Sequence, residues 1–201
     1  IDAHSLRLGL AEHHGLKVGK IICGAGSDQL IDLITLAYAG PGDETLYTEH
    51  GFTMYPIATL GVGATPIAVP ESNLTADVDA ILERVNARTK IVFLANPNNP
   101  TGTYLAEDEL RRLHAGLPEH VVLVLDAAYA EYVTEEDYDA GAKLVAEASN
   151  VIMTRTFSKI YALASLRIGW AYGPEEIIDI LDRVRPPFNV SAPSMAAALA
   201  A

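Results

Sequence analysis

Short apolar runs recur along the chain, and segments with helical periodicity separate them. The runs are rich in Val and Ile and mostly lack polar alternation, which is typical of strands buried on both faces. We predict strands at 20–23, 45–48, 65–69, 91–95, 121–126, 151–154 and 168–172. Apolar residues spaced for one helix face predict helices at 3–14, 28–39, 53–60, 78–87, 107–115 and 175–184. This alternation predicts an α/β fold built on a mainly parallel seven-stranded sheet.

The two ends of the chain indicate a piece of a longer protein. Residues 193–195 (Pro-Ser-Met) lead into an alanine-rich run that looks like the first turns of another helix. The sequence stops inside that pattern without a cap, and it begins with Ile1 instead of methionine. We therefore expect further segments in the native protein.

Composition limits the possible functions. The 201 residues correspond to one large domain or two small ones and are enough to bury roughly 70% of the unfolded chain's surface. A net charge of −12 argues against nonspecific binding of nucleic acid or anionic membranes as the main role, although a local anion site stays possible. Since Cys23 is the single cysteine, no internal disulfide can form. This fits a reducing compartment, and we expect a cytoplasmic protein.

Three weaker patterns are set aside. The acidic segment 134–141 is interpreted as a solvated loop and not as a metal site. Residues 15–20 are one residue short of a P-loop and lack the Ser or Thr that should follow the lysine. The six histidines do not have the spacing of zinc ligands, and we predict no metal.

A glycine-rich turn at 24–29 (Gly-Ala-Gly-Ser-Asp-Gln) follows a predicted strand and opens a predicted helix. Gln29 stands where a dinucleotide-binding fingerprint has its third glycine, which weakens a nicotinamide interpretation. Two interpretations stay open. The free N–H groups at the start of the helix suit a phosphate, or the segment is only a tight turn with Ser27 as the N-cap.

Polar residues also follow three other predicted strands, at the edge of the sheet where ligands bind in such folds. Segment 96–102 (Asn-Pro-Asn-Asn-Pro-Thr-Gly) is either a functional loop or an ordinary loop of turn residues. Asp126 closes a buried strand and needs donors or a positive partner there; a helix cap or a structural ion pair would also satisfy it. Lys159 is either a solvated surface lysine or a nucleophilic amine, and its apolar flanks, the nearby hydroxyls and the cation at Arg167 strengthen the second interpretation.

These segments together resemble the fold-type I pyridoxal-phosphate aminotransferases. The resemblance rests on the order and spacing of 96–102, 126–129 (Asp-Ala-Ala-Tyr) and 156–159 (Thr-Phe-Ser-Lys), with Arg167 eight residues after the lysine. Segments 26–28, 49–55 and 187–191 are similar to the histidinol-phosphate branch. The resemblance implies a three-layer α/β/α large domain over 1–201 that binds the cofactor, with the family's N-terminal arm and C-terminal small domain absent.

The same resemblance implies roles at the ring of pyridoxal 5'-phosphate. Lys159 would bind the cofactor covalently and then move a proton during the reaction. Asp126 would pair with the pyridinium nitrogen. Asn99 and Tyr129 would bond the phenolic oxygen, and Phe52 would stack on the ring face. The predicted catalytic residues are therefore Lys159, Asp126 and Tyr129.

At the phosphate, the resemblance implies backbone N–H groups, hydroxyls and a guanidinium. The residues that supply them would be Ser27, Asp28, Thr156, Ser158 and Arg167. Asn189 is a further candidate for lining the site. Ala127 and Ser165 depart from residues common in relatives, and we expect them to affect only local packing.

The resemblance implies transamination between L-glutamate and imidazole-acetol phosphate, giving L-histidinol phosphate and 2-oxoglutarate, in a homodimer that binds only small molecules. Within the same fold, an aromatic-amino-acid aminotransferase or a phospho-amino-acid decarboxylase is the alternative. A non-enzymatic fragment that keeps the cofactor domain is another, and a nucleotide-binding oxidoreductase is disfavoured by Gln29. The group that binds the substrate carboxylate and a tyrosine from the partner subunit would lie in the absent segments.

Overall fold

The predicted apolar runs form one central sheet in the computed structural model, which describes residues 2–201. Its seven strands follow the order β1-β9-β8-β7-β6-β2-β3, and β4 and β5 form a separate short hairpin. The prediction of a mainly parallel seven-stranded sheet is confirmed. In chain order the strands are β1 (Ile21–Gly24), β2 (Glu44–Thr48), β3 (Thr65–Val69), β4 (Glu71–Ser72), β5 (Thr75–Ala76), β6 (Thr89–Ala95), β7 (Val122–Asp126), β8 (Val151–Thr156) and β9 (Gly169–Tyr172).

Strand direction determines which residues meet at one edge. Strand β9 is antiparallel to both of its neighbours, β1 and β8. The remaining neighbours in this sheet pair in parallel. Because β1 and β8 are both antiparallel to β9, they run in the same direction. Strand β1 therefore ends at the same edge as β6, β7 and β8. We call this the carboxyl edge, and β9 begins at it.

The helices cover both faces of the sheet. All six helices predicted from periodicity are present, one with the predicted bounds 175–184 and five with ends shifted by one to three residues. The alanine-rich helix near residue 201 is also present, whereas the six-residue α6 was not predicted. The helices are α1 (His4–His14), α2 (Gly26–Tyr38), α3 (Met54–Gly61), α4 (Val78–Arg84), α5 (Glu107–Gly116), α6 (Ala142–Glu147), α7 (Glu175–Val184) and α8 (Ala192–Ala200). In residues 2–201 no helix has the length and apolarity needed to cross a bilayer.

Two apolar cores, one on each face, result from strand alternation. In β6, Val92 and Leu94 belong to one core, while Ile91 and Phe93 belong to the other. Successive side chains of a strand point to opposite faces, so a strand that is apolar throughout must be covered twice. Helices α2, α3 and α7 cover one face, and α1, α4, α5, α6 and α8 cover the other. The three-layer α/β/α architecture is thus confirmed.

Candidate active site

All ten site residues predicted from the sequence line one cavity of about 170 Å³ at the carboxyl edge. Strand ends account for this convergence, because β7 ends at Asp126, β8 ends at Thr156 and α2 begins just after β1. Alanine and proline side chains complete the wall. The ten residues are Ser27, Asp28, Phe52, Asn99, Asp126, Tyr129, Thr156, Ser158, Lys159 and Arg167.

Asp126 is a buried carboxylate, only 4% exposed. Its Oδ2 accepts a hydrogen bond of 2.9 Å from the Tyr55 hydroxyl, and its Oδ1 accepts one of 3.1 Å from Thr154. Burial raises the pKa of Asp126, and the hydrogen bonds from Tyr55 and Thr154 act in the opposite direction. Hydroxyl groups therefore satisfy this carboxylate, in contrast to the helix cap or ion pair considered from the sequence.

Tyr55 is the residue that sequence reasoning missed. Its side chain on α3 is 1% exposed, and its ring lies parallel to that of Phe93 at a centroid distance of 4.8 Å. The Phe52 ring meets the Tyr55 ring edge to face at 5.8 Å. Tyr55 therefore supports two site residues, since it bonds Asp126 and packs against Phe52. A buried carboxylate requires donors, and that requirement was the one available signal.

Lys159 lies half-buried in the loop that follows β8. Its Nζ is 5.0 Å from the centroid of the Tyr129 ring, within the range of a cation–π contact. The loop is held by Thr156, whose hydroxyl accepts from the Ser158 N–H at 3.1 Å and donates to the Ser158 hydroxyl at 3.0 Å. The amine of Lys159 and the phenol of Tyr129 thus face the same cavity.

The glycine-rich turn brings the start of α2 to the cavity. Helix α2 begins at Gly26 with Ala25 as its N-cap, so the interpretation of Ser27 as N-cap is wrong. Ser27 and Asp28 lie in the first turn, where N–H groups have no partner within the helix. Gly26 has a φ of +81°, and a Cβ there would collide with the guanidinium of Arg167. Glycine is therefore required both for the turn and for the approach of the arginine.

Arg167 reaches the carboxyl edge because antiparallel β9 begins there. Its Nη2 forms an ion pair of 2.7 Å with Asp28, and both side chains are more than 40% exposed. Its Nη1 donates to the carbonyl of Ala164 at 2.9 Å and lies 3.5 Å from the Ser158 hydroxyl. A guanidinium, two hydroxyls and a helix N-terminus consequently surround one end of the cavity, a combination suited to an anion.

Side-chain and backbone hydrogen bonds fix the loop after β6 in place. The Asn96 side chain exchanges two hydrogen bonds, of 3.0 and 2.8 Å, with the backbone of Leu105. The Asn98 N–H donates to Thr103 at 2.8 Å. With the loop held in this way, Asn99 lies in the cavity wall.

Asn189 is placed differently from the expectation. It is not among the lining residues of this cavity in the described chain. Its amide nitrogen instead donates to the carbonyl of Cys23 at 3.0 Å and to Oε1 of Gln29 at 2.8 Å, behind the glycine-rich turn. The two departures from relatives, Ala127 and Ser165, also lie outside the lining.

The fold agrees with comparisons to known proteins. The family model described as aminotransferase class I and II matches residues 1–201, and the chain belongs to that family. Among curated relatives, the histidinol-phosphate aminotransferase of Ruegeria sp. (strain TM1040) is 60% identical over 200 residues, which is 100% of this chain and 55% of that protein. The chain thus spans about half the length of the curated relatives it matches.

Solved structures of related enzymes have the same fold as this chain. A crystal structure of histidinol-phosphate aminotransferase from Sinorhizobium meliloti, in complex with pyridoxal-5'-phosphate, superimposes with a TM-score of 0.94 at 31% identity and covers 98% of this chain and 54% of that one. An L-threonine-O-3-phosphate decarboxylase from Porphyromonas gingivalis superimposes with a TM-score of 0.83 at 25% identity, covering 98% of this chain and 60% of that one. The fold is therefore shared by enzymes with different reactions.

Proposed function

We propose that residues 1–201 are the cofactor-binding domain of a pyridoxal-phosphate aminotransferase of histidine biosynthesis. The reaction is amino transfer between L-glutamate and imidazole-acetol phosphate, giving L-histidinol phosphate and 2-oxoglutarate. The observation that carries the proposal is 60% identity to a histidinol-phosphate aminotransferase over the whole chain. We further propose a cytoplasmic homodimer, and we place the groups that select the substrate outside residues 1–201.

The described residues fit pyridoxal 5'-phosphate at three points. One end of the cavity presents the start of α2 together with Arg167, which suits the dianionic phosphate. The other end presents the buried carboxylate of Asp126, which suits the protonated pyridine nitrogen. The aromatic ring of Phe52 is available for a ring face between these ends. The phosphate, the ring nitrogen and the ring face thus each have a chemically suitable partner.

The cofactor, when bound, supplies an electron sink for the bonds of the substrate α-carbon. The chain's own residues bind and orient it. The Nζ of Lys159 would hold it covalently and would then act as the base that moves a proton from the substrate. Asp126 would stabilise a positive charge on the ring nitrogen, and the hydrogen bonds from Tyr55 and Thr154 favour its ionised form against the effect of burial. Asn99 and Tyr129 would donate hydrogen bonds to the phenolic oxygen.

Covalent trapping tests this assignment. The protein is incubated with pyridoxal phosphate and reduced with borohydride, and the modified lysine is located by mass spectrometry of the tryptic peptides. We expect the adduct on Lys159 and its loss in Lys159→Ala. Lys143→Ala is the matched control, because Lys143 is an exposed lysine outside the cavity lining. Its Nζ forms an ion pair of 2.9 Å with Glu107, which lies on α5. An adduct spread over several lysines, or one that Lys159→Ala retains, would contradict the assignment.

The substrate requires a separate test on the full-length protein. Histidinol phosphate and 2-oxoglutarate should yield glutamate, whereas O-phospho-L-threonine should release no carbon dioxide. The much higher identity to the Ruegeria aminotransferase than to the Porphyromonas decarboxylase favours this outcome. Release of carbon dioxide without glutamate formation would instead favour the decarboxylase alternative.

A further inference from the structure

Two side-chain amides meet behind the glycine-rich turn. Oε1 of Gln29, in the first turns of α2, accepts the N–H of Ala25 at 2.9 Å. The same oxygen accepts Nδ2 of Asn189 at 2.8 Å, and that nitrogen also donates to the carbonyl of Cys23 at 3.0 Å. The two amides therefore connect the end of β1, the N-cap of α2 and the segment between α7 and α8.

The chemistry of each amide fixes its orientation. Gln29 must present oxygen to the turn, because both of its neighbours there are N–H donors. Asn189 must present its amide nitrogen, because the two groups that it faces, the carbonyl of Cys23 and Oε1 of Gln29, are both acceptors. Its own Oδ1 lies 3.4 Å from Nη1 of Arg185, a donor, which agrees with that orientation. Neither amide can be rotated by 180° without placing like groups against each other.

The turn at 24–29 needs these hydrogen bonds because its first residues have no side chains that could fix its backbone. Ala25 is the N-cap and has no side chain that could bond the first-turn N–H groups. Gly26 adopts a left-handed φ of +81°, and glycine is the residue with the most conformational freedom. The side chain of Gln29 accepts the backbone N–H of the N-cap residue Ala25. In a capping box, a Glu or Gln side chain of the first turn bonds the N-cap N–H in a similar way. Gln29 thus performs a structural task at the position where a dinucleotide-binding turn has glycine.

We infer that Asn189, acting through Gln29, is a positioning residue for the phosphate of the cofactor. It fixes the turn that aims the N–H groups of Ser27 and Asp28 into the cavity. This inference rests on the proposed function, because it takes the phosphate of pyridoxal phosphate as the ligand of that turn. Asn189 touches no ligand, and its effect is confined to the phosphate end of the site.

The test compares pyridoxal phosphate with pyridoxal, which lacks the phosphate. Both are titrated by absorbance into wild type and Asn189→Leu, which preserves size and removes both donated hydrogen bonds. We expect pyridoxal phosphate to bind about fivefold to tenfold more weakly to the variant, with less than about a twofold change for pyridoxal. Gln29→Met should give the same selective loss and serves as the second variant if Asn189→Leu does not fold.

Asn150→Leu is the matched control. Asn150 is a half-buried asparagine far from the cavity, and its amide donates to the carbonyl of Val121 at 2.8 Å and contacts His114 at 2.9 Å. Thermal unfolding of each variant is measured in parallel. The control should lose stability without changing the ratio of the two affinities.

The outcomes separate the inference from the proposed function. Equal weakening of both ligands in Asn189→Leu, or unchanged binding of pyridoxal phosphate in Asn189→Leu and Gln29→Met, overturns the positioning role and leaves the trapping of Lys159 intact. A wild-type protein that binds neither compound and shows no adduct on Lys159 overturns both.

Discussion

Tyr55→Phe tests whether a buried hydroxyl keeps Asp126 ionised. The substitution removes only the phenolic oxygen, so the stacking on Phe93 at 4.8 Å remains. The lost hydrogen bond, 2.9 Å long, ends on a buried carboxylate. Hydrogen bonds to charged groups contribute about 1.5–3 kcal/mol, and we expect that loss in the free energy of unfolding near neutral pH. With a urea dependence of about 2 kcal/mol per molar, the midpoint falls by about 1 M.

The pH dependence distinguishes this mechanism from simple loss of packing. Burial raises the pKa of Asp126, and the hydroxyl of Tyr55 opposes that rise, so the variant raises the pKa further. An acid with a raised folded-state pKa contributes stability below its ordinary pKa and loses it as the pH rises through the folded value. The deficit of Tyr55→Phe should therefore shrink as the pH is lowered toward 4, because the carboxyl becomes neutral.

Urea unfolding of the cofactor-free protein between neutral pH and about pH 4 measures this effect. Tyr138→Phe is the control, since the Tyr138 hydroxyl donates to the neutral carbonyl of Asn96 at 2.7 Å. It should cost about 0.5–1.5 kcal/mol at every pH in that range. A Tyr55→Phe deficit that equals the control and does not vary with pH would refute the reasoning.

Two further predictions concern buried groups. Asp126→Asn should raise the free energy of unfolding of the cofactor-free protein at neutral pH by about 0.5–2 kcal/mol, because burial raises the pKa of Asp126, and in urea unfolding the gain should shrink as the pH is lowered toward 4 and the wild-type carboxyl takes up a proton; a variant less stable than wild type at neutral pH would contradict this. Cys23 is 3% exposed and burial raises its pKa to about 12, so a chromogenic disulfide reagent at about pH 8 should label it only after unfolding in urea. Rapid stoichiometric labelling of the native protein would show that the thiol is accessible.

The sheet strands other than the edge strand β3 were predictable because burial on both faces leaves a strong signal in the sequence. Every residue of β7 is buried, and its apolar run is interrupted only by Asp126 at the end. Helix α6 was missed because it has six residues, of which only Leu144 and Val145 are buried. The hairpin β4–β5 was missed for the same reason, since strands of two residues carry no periodicity.

The supports of the site were harder to predict than the residues that line it. Lys159, Asp126 and Asn99 belong to local motifs that could be found from their order in the chain. Gln29 was judged only by the glycine that it replaces, and its contact with Asn189 joins residues 160 positions apart. Tyr55 lies 71 positions before Asp126. No local sequence pattern predicts such a pair, because the residues that flank each partner in the sequence do not indicate the contact.

These long-range contacts divide the site into two ends with different structural origins. The end that carries Asn99 and Asp126 depends on β6 and β7, which are neighbours in the sheet and bring both residues to one edge. The end that carries Arg167 and the start of α2 depends on β1 and β9, since Gly24 pairs with Gly169. A Cβ at Gly169 would lie 2.6 Å from the backbone nitrogen of Ser27, so the start of α2 can reach the cavity only over glycine. This end of the cavity therefore depends on the close pairing of β1 with β9.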